Sequence, residues 1–436
     1  MEVFLTPGRA CGAVVGSRCA PWRPGRDPLM NKLTRLTIKQ FRNVAPTTLE
    51  FRPGINVLLG RNAAGKTTLL RLLSTMAGVP DAALQNDQLE VNCHVSGELL
   101  DLEHTVTKAR VDVPTHPLVS GRLMREDFHS LQQTDSLTFK KKDGVVIIKA
   151  ELRPNEVIFE HEGKQIRVIR QFFDEPIASV FFALLSSEAN ASPDSTFHIL
   201  PLSIKTAGRM DESLEQFSAL LKVEAQTDGD GGNWSGSGIP YSMSEMLAGF
   251  VPDGSTTATF SLGFLSRAAT ALGYESANAR FDVERLMPDQ RRQVMRLSNL
   301  HFFFRRPGEE ISHERLSYGQ KRLLAFFAHA DASPDLLIAD ELVNGLHHDW
   351  ISACLDELGE RQAFLTSQNP LLLDFLRFDS VEEVRQTFIL CERASNDAGA
   401  QLIWRNPTED EAESFFLAYQ TGIQRVSDIL LTKGLW

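Results

Sequence analysis

The stretch that decides the fold is GRNAAGKT at residues 60–67, with the apolar run INVLL at residues 55–59 directly before it. It fits the pattern GxxxxGK[ST], in which glycines let the backbone curl so that consecutive N–H groups point at phosphate oxygens. The apolar run predicts a buried parallel strand, and a helix is predicted over 66–77. Strand, loop and helix in this order are the setting that a phosphate-binding loop requires.

The chemistry of the loop indicates a nucleoside triphosphate with its metal, and we predict ATP and Mg²⁺. Lys66 would balance the charge of the β- and γ-phosphates, and the Thr67 hydroxyl would complete the Mg²⁺ shell. The residues predicted to hold the nucleotide here are Gly60, Asn62, Ala63, Ala64, Gly65, Lys66, Thr67 and Thr68.

A second motif, DLLIADE at residues 335–341, reads as a buried strand that ends in two carboxylates. At the carboxyl edge of a sheet both side chains can reach a ligand in the crevice there. Asp340 is therefore predicted, with Thr67, to hold the metal, and Glu341 to orient or deprotonate the attacking water. A solvated strand end is the alternative interpretation, and the upstream loop makes the catalytic one coherent.

A third motif, LSYGQKR at residues 316–322, precedes a predicted helix and begins its helix cap 23 residues before Asp340. Ser317 is a good N-cap, Gly319 permits close approach, and the helix N-terminus would face a phosphate. A helix cap alone also accounts for Ser317. The order and spacing of the three motifs give this heptad more weight than it would have in isolation.

With these motifs in view, the chain resembles the RecF/SMC-like branch of ABC-type ATPases, especially the compact OLD-like "AAA family" ATPases of bacteria. LTIKQFRN at 36–43 is similar to that branch's first strand, DELVNGLH at 340–347 to its D-E-P-E-N-G-L-H segment, and LTSQNPLLLD at 365–374 to its switch segment. The similarity covers about 31–80 and 300–406. It implies an α/β P-loop core with an ABC-type antiparallel β section and a helical lobe.

The resemblance also implies a function for the third motif, which stands where the family has its LSGGQ signature. In the family this element contacts the γ-phosphate that the opposite subunit binds, which implies a nucleotide contact through Ser317, Gly319 and Gln320. A homodimer or higher homo-oligomer would then complete the ATP site. Gln368 stands at the position of the switch histidine and is the second predicted catalytic residue. Glutamine hydrogen-bonds a phosphate but cannot carry a proton as imidazole does, so slow hydrolysis is predicted.

Domain organisation follows from composition and periodicity along the chain. We predict a disordered leader at 1–29, with a transit peptide as the alternative, and a first half of the ATPase core at 31–170 that is β-rich after residue 89. Helical spacing at residues 214–221 predicts a helical lobe at 171–299, with a flexible loop at 226–239, followed by the second half of the core at 300–406. An amphipathic helix with a Thr408–Glu411 capping box is predicted at 407–436, where it packs on the core or binds a partner. Its apolar stripe consists of Phe415, Tyr419, Ile423, Val426 and Leu430.

The composition of the chain limits which ligands, compartments and membrane arrangements are expected. The formal charge of −11 argues against a broad electrostatic grip on DNA, although a local basic strip is compatible with it. The five cysteines show no metal-ligand spacing and suit a reducing cytoplasm, and no apolar run is long enough to span a membrane. His347 and His348 suggest a metal site or a solvated turn, and Arg42 a nucleotide contact or an exposed strand end.

Three functions fit the sequence. The first is an ATPase whose nucleotide-driven assembly controls a separately encoded effector in bacterial anti-phage defence. The second is a RecF-type repair or maintenance ATPase that binds DNA, and the third is a scaffold that uses ATP mainly to oligomerise. The segment after residue 375 lacks the carboxylate pattern of a TOPRIM nuclease, so a motor or switch without its own nuclease is expected.

Overall fold

The computed structural model describes residues 32–77, 81–97, 100–112, 129–153, 156–161, 164–169, 223–227, 232–233, 242–243, 246, 255–289, 292–331, 333, 336–367, 369–396 and 399–435. The leader predicted at 1–29 lies outside these residues. The strands in chain order are β1 Lys32–Phe41, β2 Thr47–Glu50, β3 Ile55–Leu59, β4 Leu89–Ser96, β5 Leu100–Asp112, β6 His129–Lys141, β7 Val146–Leu152, β8 Glu156–His161, β9 Lys164–Ile169, β10 Val223–Thr227, β11 Gly232–Asn233, β12 Thr257–Phe260, β13 Ser276–Asp289, β14 Arg292–Arg306, β15 Glu309–Ser312, β16 Leu336–Ala339, β17 Gln362–Thr366, β18 Phe388–Asn396 and β19 Gly399–Arg405. The α-helices are α1 Lys66–Met76, α2 Gly263–Ala271, α3 Tyr318–Asp331, α4 His348–Leu358, α5 Pro370–Asp374, α6 Val381–Thr387, α7 Glu409–Gln420 and α8 Val426–Thr432.

The central sheet has the order β16-β17-β3-β18-β19, parallel except for β19. Both faces are covered, so its strands are apolar on both sides. In β16, Leu336 and Ile338 pack in the core cluster that contains α1, whereas Leu337 and Ala339 pack in the cluster that contains α3 and α4. The buried parallel strand predicted at Ile55–Leu59 is confirmed as β3.

An eight-stranded antiparallel sheet, in the order β2-β1-β4-β5-β6-β7-β8-β9, covers one side of the molecule. Leu36, Ile38 and Phe41 of β1 are buried and share a core with α1. A turn at residues 142–145 joins β6 to β7, with Gly144 at a positive φ of 86° that favours glycine. The β-rich section expected after residue 89 is therefore present.

The predicted helical lobe at 171–299 differs from the structure in the part of that range that the structure describes. Instead, β10 to β14 form an antiparallel sheet in the order β11-β10-β14-β13-β12, and α2 packs on it. The alternation of Ala277, Ala279, Phe281 and Val283, all buried, has the two-residue period of a strand. The helical pattern that suggested a lobe falls on residues 214–221, outside the described residues, and the loop predicted at 226–239 contains the short β10–β11 pairing.

The single C-terminal helix predicted at 407–436 is two helices. Thr408 and Glu411 form the predicted capping box at the start of α7. The helix stops before Gly422, whose φ of 65° reverses the chain, and α8 resumes at Val426. Ile423, expected on the buried stripe, is consequently 86 % exposed in the connection between the helices. The packing interpretation holds for the other part of the stripe, because Phe415 is buried.

Candidate functional site

Three neighbouring parallel strands deliver the predicted site to one edge of the central sheet. Leu59 at the end of β3 leads into the 60–67 loop, and Ala339 at the end of β16 leads into Asp340. Between them, β17 ends at Thr366. Because parallel strands end at the same edge, the phosphate loop and both carboxylates meet in one crevice. The sequence predicts that the 60–67 loop, Asp340 and Glu341 form one site although they are far apart in the chain. The central sheet brings these residues together.

The curl of the loop depends on three residues with left-handed φ values: Gly60 at 143°, Ala63 at 63° and Gly65 at 86°. A Cβ at Gly60 would lie 2.0 Å from the backbone oxygen of Cys391, and one at Gly65 would lie 2.8 Å from Leu402 Cδ1. These glycines are therefore required both by backbone conformation and by the close approach of β18 and β19.

The loop presents donors toward the crevice. Lys66 Nζ donates to the carbonyl oxygens of Gly60 at 2.6 Å and Arg61 at 3.1 Å, which places the ammonium group across the loop. The N-cap of α1 is Gly65, which brings no capping side chain, and the first turn carries no acidic residue. The first N–H groups of this helix and the lysine suit a triphosphate, so the loop fits the predicted ligand. From outside, Trp404 Nε1 donates to Ala64 O at 3.1 Å and fixes the loop.

Two hydroxyl groups hold the carboxylate of Asp340. Thr67 Oγ1 donates to Asp340 Oδ2 at 2.6 Å, and Thr366 Oγ1 donates to Asp340 Oδ1. A threonine hydroxyl and a carboxylate at this distance are oxygen ligands of the kind that Mg²⁺ prefers. The residues present therefore fit the predicted metal, which Thr67 and Asp340 would hold directly or through water.

Glu341 stands in an unusual conformation, with a φ of 52° in the left-handed region. Its backbone N–H donates to Thr366 Oγ1 at 2.7 Å, and its carboxylate Oε2 accepts from Asn344 Nδ2 at 2.7 Å. A residue whose backbone conformation is strained, and whose surroundings hold it in that conformation, is a frequent feature of active sites. No sequence motif predicts a role for the side chain of Thr366 or of Asn344. The position of Thr366 at the end of the strand beside β16 is the signal that would have found it.

The third motif forms the predicted cap at the start of α3. Gln320 N donates to Ser317 Oγ at 3.4 Å, and Ser317 N donates to Gln320 Oε1 at 2.9 Å, so each side chain caps the other's backbone. A Cβ at Gly319 would lie 2.7 Å from Gly345 O. Gly319 is thus required because this turn packs against the segment after Glu341. Ser317 and Gln320 are turned toward the surface rather than buried in the chain's own core.

Other predicted residues have different outcomes. Gln368 lies outside the described residues, so its catalytic role stays a prediction. Thr68 lies in the first turn of α1, next to Thr67. Arg42 pairs with Asp87 and donates to Ala83 O, which favours an exposed strand end. His347 and His348 belong to no group of three or more His, Cys, Asp or Glu side chains that could hold a metal ion, and the described residues contain no such group.

A cavity of about 650 Å³ opens beside the first half of the loop. Gly60, Arg61 and Asn62 form one side, and Arg425 and Leu431 of the α8 region lie on the other. The C-terminal helices therefore border the nucleotide loop, which the sequence did not predict. No helix in the described part of the chain is long and apolar enough to cross a membrane.

Comparisons with protein families, curated proteins and solved structures show what this chain is similar to. A family model described as an AAA domain matches residues 35–175, and a second, described as "AAA domain, putative AbiEii toxin, Type IV TA system", matches residues 255–374. These two regions are similar to AAA domains and, together with the phosphate-binding loop, indicate an ATPase. The chain is 37 % identical over 184 residues to the DNA replication and repair protein RecF of Streptococcus pneumoniae strain CGSP14, which covers 42 % of this chain and 47 % of the relative. It is 33 % identical over 91 residues to RecF of Lactococcus lactis subsp. cremoris strain SK11, covering 21 % and 25 % of the two chains.

The ATPase spans between a quarter and about a half of the length of these curated relatives. Among solved structures, the SMC head bound to the C-winged helix domain of ScpA covers 86 % of the ATPase and 98 % of its own chain, with a TM-score of 0.37 and 10 % identity. The predicted α/β fold is confirmed by the central sheet. The similarity to RecF proteins is consistent with the predicted RecF/SMC-like branch, whereas the OLD-like anti-phage type stays a prediction.

Proposed function

We propose that the ATPase is a switch in which two copies share each ATP. The P-loop of one copy holds the triphosphate, and the Ser317-capped start of α3 in a second copy seals it. The observation that carries this proposal is the exposed start of α3, whose Tyr318 is 58 % exposed beside a serine with a capping role. An exposed, well-formed helix N-terminus is suited to an anion that another molecule brings.

Each residue of the crevice has a role in this scheme. Lys66 and the N–H groups of the loop bind and orient the triphosphate, and Thr67 with Asp340 holds the metal position. Mg²⁺, when bound, neutralises charge on the β- and γ-phosphates. Glu341 accepts the proton of the attacking water or orients it, with Asn344 setting the direction of its carboxylate. Gln368 would donate a hydrogen bond to the γ-phosphate.

The output of the switch in our proposal is control of a separately encoded effector in bacterial anti-phage defence. The family description "putative AbiEii toxin, Type IV TA system" for residues 255–374 supports this choice. A DNA-linked output of RecF type is the second candidate, supported by the similarity to RecF proteins. In the second antiparallel sheet, the side chains of Arg280, Arg305 and Arg306 all form ion pairs with glutamates. This pairing argues against DNA binding by that sheet.

The proposal of a shared site is tested with the Glu341→Gln variant. Mass measurement in solution, with and without ATP–Mg, should give a dimer or larger assembly only with nucleotide, while phosphate release is lost. Glu360→Gln, an exposed change at the end of α4, is the matched control and should keep wild-type turnover. A Glu341→Gln protein that stays monomeric at saturating ATP would contradict the shared site.

A second experiment separates the two outputs. Turnover of the wild-type protein is measured with and without duplex DNA at several salt concentrations, and with and without the product of a neighbouring gene. Stimulation by DNA that falls steeply with salt would replace the effector proposal with the RecF-type one. Turnover that ignores DNA and responds to the neighbouring protein supports effector control.

A further inference from the structure

Arg322 connects the start of α3 to Glu341. Its side chain lies one helical turn after Tyr318 and is 6 % exposed. Nη2 donates to the backbone oxygen of Glu341 at 2.7 Å, and Nη1 donates to Tyr318 Oη at 3.2 Å. The guanidinium group is therefore a buried bridge between the third motif and the candidate catalytic residue, which is 19 positions away.

Glu341 needs such support because of its backbone. A left-handed φ of 52° is unfavourable for a non-glycine residue. The charged donor from Arg322 to the Glu341 carbonyl stabilises the peptide in this orientation. The orientation of the peptide fixes the starting direction of the Glu341 side chain. The contact from Arg322 consequently influences where the carboxylate points.

The same two segments touch at further points. Gly319 approaches Gly345 so closely that a Cβ would lie 2.7 Å from the Gly345 oxygen, and a Cβ at Gly345 would lie 3.5 Å from the ring of Tyr318. The first turn of α3 and the segment 341–345 are therefore closely packed, so a shift of one against the other would create a clash or break a hydrogen bond.

We infer that Arg322 is a positioning residue that makes the orientation of Glu341 depend on what binds at the start of α3. When a second copy's nucleotide contacts Ser317, it fixes the position of the first turn of α3, and Arg322 couples that position to the Glu341 peptide. This inference rests on the proposed shared site for the identity of the ligand at Ser317. Arg322 itself would touch neither nucleotide.

The test compares Arg322→Met and Arg322→Lys in steady-state ATP turnover and fluorescent-ATP titration. For Arg322→Met we expect kcat to fall at least tenfold while KM and nucleotide affinity stay within threefold. Arg322→Lys keeps a charged donor for the Glu341 oxygen and should recover part of kcat. Tyr318→Phe removes the hydroxyl that accepts a hydrogen bond from Arg322 Nη1. Because Tyr318 is exposed, we expect this variant to fold, with a two- to fivefold loss of kcat.

Arg361→Met is the matched control, because Arg361 Nη1 also donates to backbone oxygens, those of Glu357 and Leu358 at the end of α4. It should lower thermal stability without changing kcat. The inference is overturned if Arg322→Met and Tyr318→Phe keep wild-type kcat, or if Arg361→Met lowers kcat equally at an equal loss of stability.

The shared site is judged by a different readout, the ATP-dependent mass of the Glu341→Gln protein. If that protein stays monomeric and Arg322→Met still loses kcat at constant KM, positioning by Arg322 is supported and the shared site fails. If dimers form and kcat is unchanged in Arg322→Met, the shared site is supported and the positioning role is overturned.

Discussion

Thr67 donates a hydrogen bond to Asp340 across 2.6 Å, and this contact joins two motifs that are 273 residues apart in the chain. It brings a hydroxyl from the first turn of α1 and a carboxylate from the end of β16 to one point. We predict that Asp340→Asn lowers the apparent Mg²⁺ affinity at least about tenfold, because it removes a charged oxygen from the metal position. Turnover measured against Mg²⁺ concentration checks this, and an unchanged Mg²⁺ midpoint would rule out the assignment.

Lys66 provides the second prediction. Its ammonium group lies across the loop at the Gly60 and Arg61 carbonyl oxygens, where a triphosphate would replace these contacts. Lys66→Ala should weaken ATP binding at least about a hundredfold, since a charged contact to phosphate is lost. Fluorescent-ATP titration measures the change. Arg61→Ala, in the same loop, serves as the control and should have a much smaller effect.

The third prediction concerns Gly60. Gly60→Ala should lower the free energy of unfolding by about 3 kcal/mol, because its Cβ would overlap the Cys391 carbonyl at a φ forbidden to alanine. Gly54→Ala has open space and should stay within about 0.5 kcal/mol of the wild type. Urea unfolding of both variants gives the comparison. Equal stability of the two variants would mean that β18 does not press on the loop.

Thr366 is the subject of the fourth prediction. Its hydroxyl donates to Asp340 and accepts from the Glu341 N–H, so Thr366→Val leaves both groups without this partner. The expected cost is about 1–3 kcal/mol in stability, with a fall in kcat. Thr387→Val, another buried threonine that accepts a long 3.5 Å hydrogen bond from Arg52, should leave kcat unchanged. Steady-state kinetics that show equal kcat for both variants would contradict the role.

The fifth prediction is a loss of stability in acid. Burial lowers the pKa of His94, His104 and His313 in the folded chain, and for His104 this exceeds the opposing effect of Asp135. Below about pH 6.5 these histidines bind protons in the unfolded chain but stay neutral in the folded chain until the pH is lower. The free energy of unfolding therefore decreases as the pH is lowered through this range. Urea unfolding at pH 7.5 and 5.5 measures this. His313→Asn keeps an acceptor for Phe302 N–H and should flatten the dependence.

The residues that sequence reasoning found are those whose chemistry lies within a short motif. The 60–67 loop, the carboxylates after β16 and the cap formed by Ser317 and Gln320 all have the expected geometry. Local spacing determines each of them, since strand, turn and helix start are fixed by neighbouring residues. Their roles in catalysis stay predictions, and Gln368 lies outside the described residues.

The residues that sequence reasoning missed act across the fold. Arg322 and Thr366 became visible only when the chain brought them to the Glu341 backbone. The β13–β14 hairpin was mistaken for part of a helical lobe because helical spacing near residues 214–221 was extended over a region with strand alternation. A single positive φ at Gly422 likewise divided one predicted helix into two. Tertiary contacts and single turn residues decide such features more than average periodicity does.

The packing of Trp404 on the phosphate loop sets the order in which the protein can mature. The loop oxygen that accepts from Trp404 belongs to Ala64, 340 residues earlier, and Leu402 presses on Gly65 from the same strand. A ribosome that has just released the loop has about 340 residues still to add before β19 emerges. The 60–67 loop therefore acquires this support only after β19 has been synthesised and has paired with β18, so the loop cannot reach its native packing while it folds with its neighbouring residues alone.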